Sequence, residues 1–382
     1  MARLILILGL VVVLVSAVCN NNIDCNMSGK CVQGVCECAT GFTGPNCSRL
    51  SFGKSLSCGK GGLCINNKTT WGGSVIQGDD GLWHMFAAEM SNECHLVPYW
   101  LTNSFVRHAV AETLDGPFQP KDIALAPRDG TDYFDEQTVH NPSISRAPDG
   151  TYLLFYMGSK GDKTRPNCTK SLISQNLFSS LDSAPSAAAI NQRVGLATSK
   201  SPYGPWKRLD NPILEPSATK SWDDEFVTNP SSYVFPNGTI LLIYKGRSKE
   251  NYSRMSTGVA VASHYSGPYE KKSEAPIDVP TQCEDASIYR DENGIFHTIF
   301  HCSCTYLRSW STDGITWQKN SQTIDWCNIE YKDGTSEVLR RRERPMWILD
   351  KQGKVTHMSN GVMPSVKTHD NGRCFTMMTP LS

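Results

Sequence analysis

Carboxylic acids occupy matching positions in two separated stretches of this chain. Glu284 and Asp285 begin the stretch EDASIYR, and Glu343 stands between two arginines in RRERP. Two carboxyl groups can act as general acid and general base when one stays protonated and the other ionised. A neighbouring Arg favours the ionised form. We therefore consider Glu284, Asp285 and Glu343 candidate catalytic residues, and a structural network of Arg and carboxylate groups is the alternative.

Both stretches belong to a frame that recurs along the chain. HNPSISRAPDGTYLLFYMG returns as TNPSSYVFPNGTILLIYKG, and each copy reads as an apolar strand, a polar turn with Gly at a fixed position and a second strand. The five copies cover residues 71–89, 140–158, 228–246, 284–302 and 343–361. A further strand, turn and strand follow four of them, at 108–118, 195–206, 258–269 and 307–317.

Units of about four strands predict a β-propeller. We expect an all-β chain with a five-bladed β-propeller over 55–382, whose fifth blade is partly closed by segments from both ends. An ordinary hairpin of a β-sandwich is the alternative for any single copy. The Ser- and Ala-rich insertion at 168–192 is expected to be a mobile loop or a short helix.

Six cysteines precede the repeats, in CNNNIDCNMSGKCVQGVCECATGFTGPNC. So short a segment cannot bury enough apolar surface to fold without cross-links, and spacing alone leaves fifteen pairings open. With its closing C-x-C-x8-C and GFTG turn, residues 18–50 resemble an EGF-like module. The resemblance implies the pairs Cys19–Cys31, Cys25–Cys36 and Cys38–Cys47. It also implies adhesion to an extracellular protein partner, with a passive spacer as the alternative, and we predict no calcium here.

Export is predicted by the N-terminus and by the cysteines. Residues 1–17 read as a signal peptide, and 15 Cys indicate an oxidising compartment, so we expect a secreted glycoprotein. Acceptor sites for N-glycosylation occur at Asn26, Asn67, Asn167, Asn237 and Asn251. With 37 basic and 37 acidic residues, the charge disfavours nucleic acid and anionic membranes as partners. No other apolar run is long enough to span a bilayer.

Nine cysteines remain after the first six, at positions 58, 64, 94, 168, 283, 302, 304, 327 and 374. An odd number leaves at least one free or paired between chains. Cys302 and Cys304 stand two apart in a strand-like stretch, which predicts side chains on one face. Disulfides are favoured over a zinc site, because no second close pair accompanies them.

The five blades, whose first strands begin with variations on x-N-P, resemble the five-bladed β-propeller glycoside hydrolases of family 43 and its relatives. The resemblance implies a central pocket that takes carbohydrate, with acids on the first three blades. In this chain those positions hold Trp71 or Gly72, His140 or Asn141, and Thr228 or Asn229. Only the fourth and fifth blades carry acids there, at Glu284, Asp285 and Glu343.

We therefore expect a glycosidase that cleaves by acid/base catalysis with these acids, without cofactor or metal. The alternative is a non-catalytic propeller that binds a glycan or a protein. The predicted substrate-binding residues are Trp71, His140, Asn141, Asn229, Arg342 and Arg344. Trp222 and Trp347 are further candidates for stacking on sugar rings.

Weaker candidates precede the innermost strands or lie on the second strands. FDEQTVHNP and WDDEFVTNP place Asp135 with Asp223 and Glu136 with Asp224, for which solvated turns are favoured over a ligand site. His301 recurs with other histidines beside aromatic residues. For the histidines on the second strands, packing is favoured over function, at His84, His297 and His357.

Overall fold

The computed structural model describes residues 19–130, 132–168, 187–218, 220–250, 255–272, 277–280, 282–320, 323–365 and 373–382. The chain divides into two compact units, one ending at Ser51 and the other comprising Phe52–Ser382. The predicted signal peptide and most of the insertion at 168–192 lie outside the described residues; its last part forms the short helix α1, Ala187–Ile190. Within the described residues, no helix is long and apolar enough to cross a membrane.

Two short hairpins make up the first unit. They consist of β1 Gly29–Val32 with β2 Val35–Cys38, and β3 Phe42–Thr43 with β4 Arg49–Leu50. Three disulfides join Cys19 to Cys31, Cys25 to Cys36 and Cys38 to Cys47, which confirms the pairing expected of an EGF-like module. Because so few side chains are buried, these cross-links supply the stability that a core cannot.

The second unit is a five-bladed β-propeller, as predicted. Blade 1 contains β5 Thr70–Gln77, β6 Trp83–Met90, β7 Ser104–Ala111 and β8 Gln119–Leu125. Blade 2 contains β9 Thr138–Arg146, β10 Tyr152–Ser159, β11 Gln192–Ser199 and β12 Lys207–Arg208. Blade 3 contains β13 Phe226–Val234, β14 Ile240–Arg247, β15 Met255–Ala262 and β16 Glu270–Lys271. Blade 4 contains β17 Glu284–Arg290, β18 Phe296–Cys302, β19 Thr305–Ser311 and β20 Gln318–Lys319, and β21 Ile324–Asp325 pairs with β19. A hairpin of β22 Asn328–Glu330 and β23 Ser336–Val338 follows. Blade 5 contains β24 Arg341–Leu349, β25 Val355–Met363 and β26 Phe375–Pro380. In every blade consecutive strands pair antiparallel.

The fixed glycine of the repeat has a conformational cause. In the turn between the first two strands of each blade, this residue has a φ between 79° and 88°. A side chain makes that left-handed conformation costly, and glycine adopts it freely. The five residues are Gly81, Gly150, Gly238, Gly294 and Gly353.

The ring closes between the two ends of the propeller sequence, as predicted. Leu63 pairs antiparallel with Thr376 of β26, through hydrogen bonds of 2.9 and 3.1 Å. Phe52 forms a second bridge, to Leu381. The early segment thus acts as the outer strand of blade 5 and covers an edge that would otherwise be exposed.

Arg342 fastens this closure and is buried. Its Nε donates to Asn360 Oδ1 at 3.0 Å, its Nη1 to the Trp326 carbonyl at 2.9 Å and its Nη2 to Thr379 Oγ1 at 3.0 Å. The guanidinium also lies 4.6 Å from the ring centre of Phe52. Burial lowers the pKa of Arg342 to about 9. Since the protein itself accepts these three hydrogen bonds, Arg342 takes part in ring closure. Its role in substrate binding stays a prediction.

The acids that precede β9 and β13 are also internal, so the favoured interpretation as solvated turns is wrong. Asp135 is fully buried and accepts from Tyr156 Oη at 2.9 Å and from two arginines. Asp223 accepts equivalently from Tyr244 Oη at 2.9 Å and from Lys271 Nζ at 2.6 Å. Glu136 and Asp224 are buried as well. Asp135 and Asp223 thus join the segment before the first strand of a blade to its outermost strand, β12 or β16.

Four more disulfides lie in the propeller, as expected for an exported chain. They join Cys58 to Cys64, Cys94 to Cys168, Cys283 to Cys302 and Cys304 to Cys327. Cys302 ends β18 and Cys304 lies in the turn to β19, so the prediction that both face one way along a strand is wrong. The turn separates them and each finds its own partner. Cys374 is free and buried, which agrees with the odd number.

Replacing the closing arginine tests this account of the ring. We expect Arg342→Met to lower the free energy of unfolding by about 3 kcal/mol, because three buried acceptors lose their donor. Chemical denaturation would measure the change, with the exposed Lys354→Met as the matched control. An Arg342→Met midpoint equal to that of the control would contradict the role given to Arg342.

Candidate active site

All five innermost strands break their pairing at the same place. The register shifts follow Trp71, His140, Thr228, Glu284 and Glu343. The next residue in each strand has a left-handed backbone, with φ between 50° and 61°. These five residues, here called the ring positions, are Gly72, Asn141, Asn229, Asp285 and Arg344. Such bulges redirect side chains, and Gly, Asn and Asp accept this conformation more readily than other residues.

The side chains at the ring positions meet one another across the blades. Asn141 Nδ2 donates to Asn229 Oδ1 at 2.7 Å, and Asn229 Nδ2 donates in turn to Asp285 Oδ1. Arg344 Nη1 lies 3.7 Å from the same Asp285 oxygen. At Gly72 a Cβ would stand 3.2 Å from Arg344 Cβ, so glycine leaves room for the arginine. The structure thus brings together four predicted site residues, Asn141, Asn229, Asp285 and Arg344.

Two basic side chains on second strands complete a polar cluster beside Asp285. Lys245 Nζ donates to Glu284 Oε2 at 2.5 Å and lies 3.3 Å from Asp285 Oδ1. His301 Nε2 lies 3.5 Å from Glu284 Oε1 and 3.6 Å from Asp285 Oδ2. Lys245 pairs with Thr228 in the sheet and His301 with Glu284, which places both next to the ring positions.

Lys245 was missed by the reasoning from sequence. Its signal was a lysine within the otherwise apolar second strand ILLIYKGR, at the position that Ala88, Met157 and Gly361 occupy in other blades. A buried lysine at a repeated position indicates a partner of opposite charge.

Asp285 and the basic side chains around it shift one another's pKa values. Burial would raise the pKa of Asp285, but Lys245, Arg344 and His301 outweigh it and hold this pKa well below the usual range. Burial likewise opposes the charge of Lys245, yet Asp285 and Glu284 raise its pKa. The group at Asp285 is therefore a carboxylate held between cations.

The pKa of Glu343 is shifted upwards, opposite to that of Asp285. Burial raises its pKa, and the negative charges of Glu284 and Asp285 add to the rise, against partial opposition from His301 and Arg341. Arg341 Nη1 lies 3.4 Å from Glu343 Oε1. The three candidate catalytic acids are thus close enough to influence one another's charge, although they come from blades 4 and 5.

His140 and Trp100 lie on another side of the ring. His140 Nδ1 shares a hydrogen bond of 2.6 Å with Ser104 Oγ, and its Nε2 has no partner among the described residues. Burial, with the charge of Arg344, lowers the pKa of His140 to about 3. The half-buried Trp100, in the short 3-10 helix Tyr99–Leu101, lies 5.6 Å from the imidazole between ring centres. A neutral imidazole and an indole are therefore available beside Asn141.

The tryptophans named from sequence lie elsewhere. Trp71 is 3% exposed and packs in the core between blades 5 and 1, close to Gly361. Trp347 Nε1 donates to the Ser287 carbonyl at 3.1 Å, and Trp222 stacks on Tyr244 with ring centres 5.6 Å apart. None of the three offers a free ring face beside the ring positions. Trp100 had no signal in the repeat, because it belongs to a connection between strands.

The histidines of the second strands are structural, as the favoured interpretation had it. His84 bonds His108 at 2.9 Å and Asp80 at 3.1 Å, His297 bonds Asp291 at 3.1 Å, and His357 lies 3.6 Å from Asp115. They pair with the far halves of the innermost strands, beyond the ring positions.

Solved structures with this architecture are numerous, whereas the sequence matches no protein family and no curated protein. A family 117 glycoside hydrolase of the marine bacterium Zobellia galactanivorans superposes with a TM-score of 0.59 at 15% identity, over 87% of this chain and 90% of that one. An endo-arabinase of Bacteroides thetaiotaomicron gives 0.52 at 13% identity, over 82% and 94%. An α-L-arabinofuranosidase of Lactobacillus brevis gives 0.51 at 12%, over 81% and 89%.

The chain has the fold of the five-bladed propeller glycoside hydrolases. The resemblance expected from the repeat is thereby confirmed for the architecture. At these identities the comparisons establish the fold alone, because one fold can host many functions.

The protonation of His140 offers a direct test of the site's electrostatics. Since its folded pKa of about 3 lies below the ordinary value, the neutral imidazole stabilises the fold. This contribution is complete above about pH 6.5 and is lost as the pH falls towards 3. We expect the ¹⁵N shifts of His140 to report a neutral ring from pH 8 to pH 4, with the exposed His264 as an internal reference. A charged His140 at pH 5 would refute the assignment.

Proposed function

We propose that this chain is a glycoside hydrolase in which Glu343 is the general acid and Glu284 is its ionised partner. The supporting observation is that the two carboxyl groups have opposite surroundings within one cluster. Burial and repulsion favour the protonated form of Glu343, whereas Glu284 accepts from the Lys245 ammonium. A carboxyl pair can act as acid and base when the surroundings of one member favour its protonated form and the other member is bound to a cation.

Solvent access separates these two acids from Asp285. The side chains of Glu284 and Glu343 are 31% and 19% exposed, and that of Asp285 is 7% exposed. A substrate can therefore reach the two glutamates, while Asp285 stays inside the ring. Asp285 is thus a positioning residue that holds Lys245 and Arg344 in place.

Cleavage follows from these roles. Protonated Glu343 donates its proton to the glycosidic oxygen as the bond to the anomeric carbon breaks. In one route the Glu284 carboxylate removes a proton from the water that attacks the anomeric carbon, and the configuration is inverted. In the other, the carboxylate attacks that carbon itself and forms a glycosyl ester; the deprotonated Glu343 then takes a proton from water, which hydrolyses the ester, and the two inversions together retain the configuration. The anomer released first distinguishes the two routes.

Neutral groups across the ring would orient the sugar. His140 Nε2 can bond a hydroxyl, and Asn141 Oδ1 is a buried acceptor without a partner among the described residues. The half-buried indole of Trp100 can pack on a pyranose face. Uncharged donors and acceptors with an aromatic platform suit a carbohydrate.

This proposal places the acids differently from the resemblance. Family 43 relatives are expected to carry them on the first three blades, where this chain has Gly72, Asn141 and Asn229. Here the reaction would depend on blades 4 and 5. We further propose action outside the cell, since the seven disulfides among the described cysteines require an oxidising compartment.

A second candidate is a propeller that binds glycans without cleaving them. It is favoured by one observation, that the positions where the resemblance expects acids hold Asn141, which donates to Asn229, and Asn229, which donates to Asp285. The N-terminal module would then present the propeller to an extracellular partner.

Hydrolysis and binding measured together distinguish the candidates. We expect Glu343→Gln and Glu284→Gln to lower kcat/KM on a glycan library at least about 100-fold with binding retained, because each removes a proton-transfer group. Glu292→Gln, an exposed glutamate, is the matched control. Binding without turnover by the wild-type protein would favour the second candidate.

The role of Glu343 has its own signature. With its raised pKa, activity should fall as the pH rises through that pKa, and Glu343→Gln should lack this alkaline decline. The variant should also regain activity on nitrophenyl glycosides, whose leaving group needs little protonation. An unchanged alkaline decline in the variant would exclude Glu343 as the acid.

A further inference from the structure

A cavity lies beyond the ring positions, away from the candidate active site. This cavity of about 330 Å³, here called the lower cavity, is lined by the far halves of all five innermost strands. Its lining begins two residues beyond the ring positions, at Ser74, Ser143, Ser231 and Ser287, with Met346 on blade 5. The acids of the candidate active site are not part of this lining. The lower cavity is therefore distinct from the site of the proposed hydrolysis.

Three of these serines hold neighbouring blades together. Ser74, Ser231 and Ser287 accept hydrogen bonds from the backbone N–H groups of the next blade, at 3.0 to 3.1 Å. A hydroxyl has one donor and two acceptor positions, so each keeps its own hydrogen for a further partner. The three residues are buried, and the structure shows no acceptor for these hydrogens among its described residues. They form a partial circle of donors at the start of the cavity.

Two other hydroxyls of the lining are entirely unpaired within the described part of the chain. Ser143 is 2% exposed and occupies the same frame position on blade 2, yet it makes no hydrogen bond through Oγ. Tyr289 is 4% exposed, and its hydroxyl likewise has no partner. Burial raises the pKa of Tyr289, so this hydroxyl keeps its proton. Both hydroxyls are therefore free to bond a ligand in the cavity that carries hydroxyl groups of its own.

The rest of the wall is aromatic or aliphatic. Tyr289 meets Trp347 edge to face, with ring centres 4.9 Å apart. Charged lining residues are few, and Arg146 among them is exposed and bound to Asp79 at 2.6 and 2.7 Å. Serine hydroxyls with aromatic rings and little charge suit a neutral ligand. The volume is at the small end of the range for small-molecule sites.

We propose that the lower cavity binds a free neutral monosaccharide, independently of the active site. The hydroxyls of Ser143 and Tyr289 bond its oxygens, and the hydrogens of the other serines add donors from three blades. This site does not depend on the proposed hydrolysis, because it shares none of the acids.

Calorimetric titration with free sugars tests the proposal. The probes are neutral hexoses and pentoses, with glucuronate and glucosamine as charged comparisons, at up to tens of millimolar. We expect Tyr289→Phe and Ser143→Ala each to weaken binding of the best neutral sugar about fivefold, the value of one hydrogen bond. Tyr203→Phe, which removes a hydroxyl on the outer surface, is the matched control.

Variants of the active site separate the two sites. Retained affinity in Glu343→Gln, together with the losses above, supports the proposal whether or not the protein is a hydrolase. Affinity that disappears in Glu343→Gln and survives Tyr289→Phe would place the sugar among the acids and overturn it. Failure of every neutral sugar to bind, or stronger binding of the charged ones, would also overturn it.

Discussion

Left-handed backbone at one place in each innermost strand is the constraint on which the centre of this molecule depends. It turns five side chains towards one another, and four of them then form a continuous contact from Asn141 through Asn229 and Asp285 to Arg344. The conformation is costly for residues other than glycine, so it persists because the surrounding blades enforce it. Changing any one of these side chains alters the partners of the next.

Charge at the centre follows from this geometry. Asp285 is the shared neighbour of Lys245, His301 and Arg344, and it stays ionised because they surround it. Burial raises the pKa of the more accessible Glu343, and the charge of Asp285 adds to the rise. The contacts at the ring positions therefore also contribute to the protonation of the acid proposed for catalysis. The Asp285 carboxylate both holds the ring positions together and influences the acid proposed for catalysis. The sequence alone therefore supported a structural and a catalytic interpretation of it.

Different types of side chain lie at successive heights along the central axis of the propeller. Acids and cations lie at the start of the innermost strands, the ring positions follow, and hydroxyls of serine and tyrosine come next. Arg342 leaves this centre altogether and joins the two ends of the propeller sequence. Arg342 and Arg344, two residues apart in one strand, thus lie in different places, Arg342 at the closure of the ring and Arg344 at its centre. The bulge and the strand direction send their side chains apart.

The sequence by itself determined the architecture, because each blade repeats local requirements: strand alternation, and a turn glycine with positive φ as at Gly150. It also located the ring positions, since Asn141 and Asn229 fall at one place in the frame. Only the tertiary structure decided which side chains reach the centre. Lys245 and Trp100 come from a second strand and a connection, and Arg342 and Trp71 point into the core. Such contacts depend on packing between blades, which no local pattern encodes.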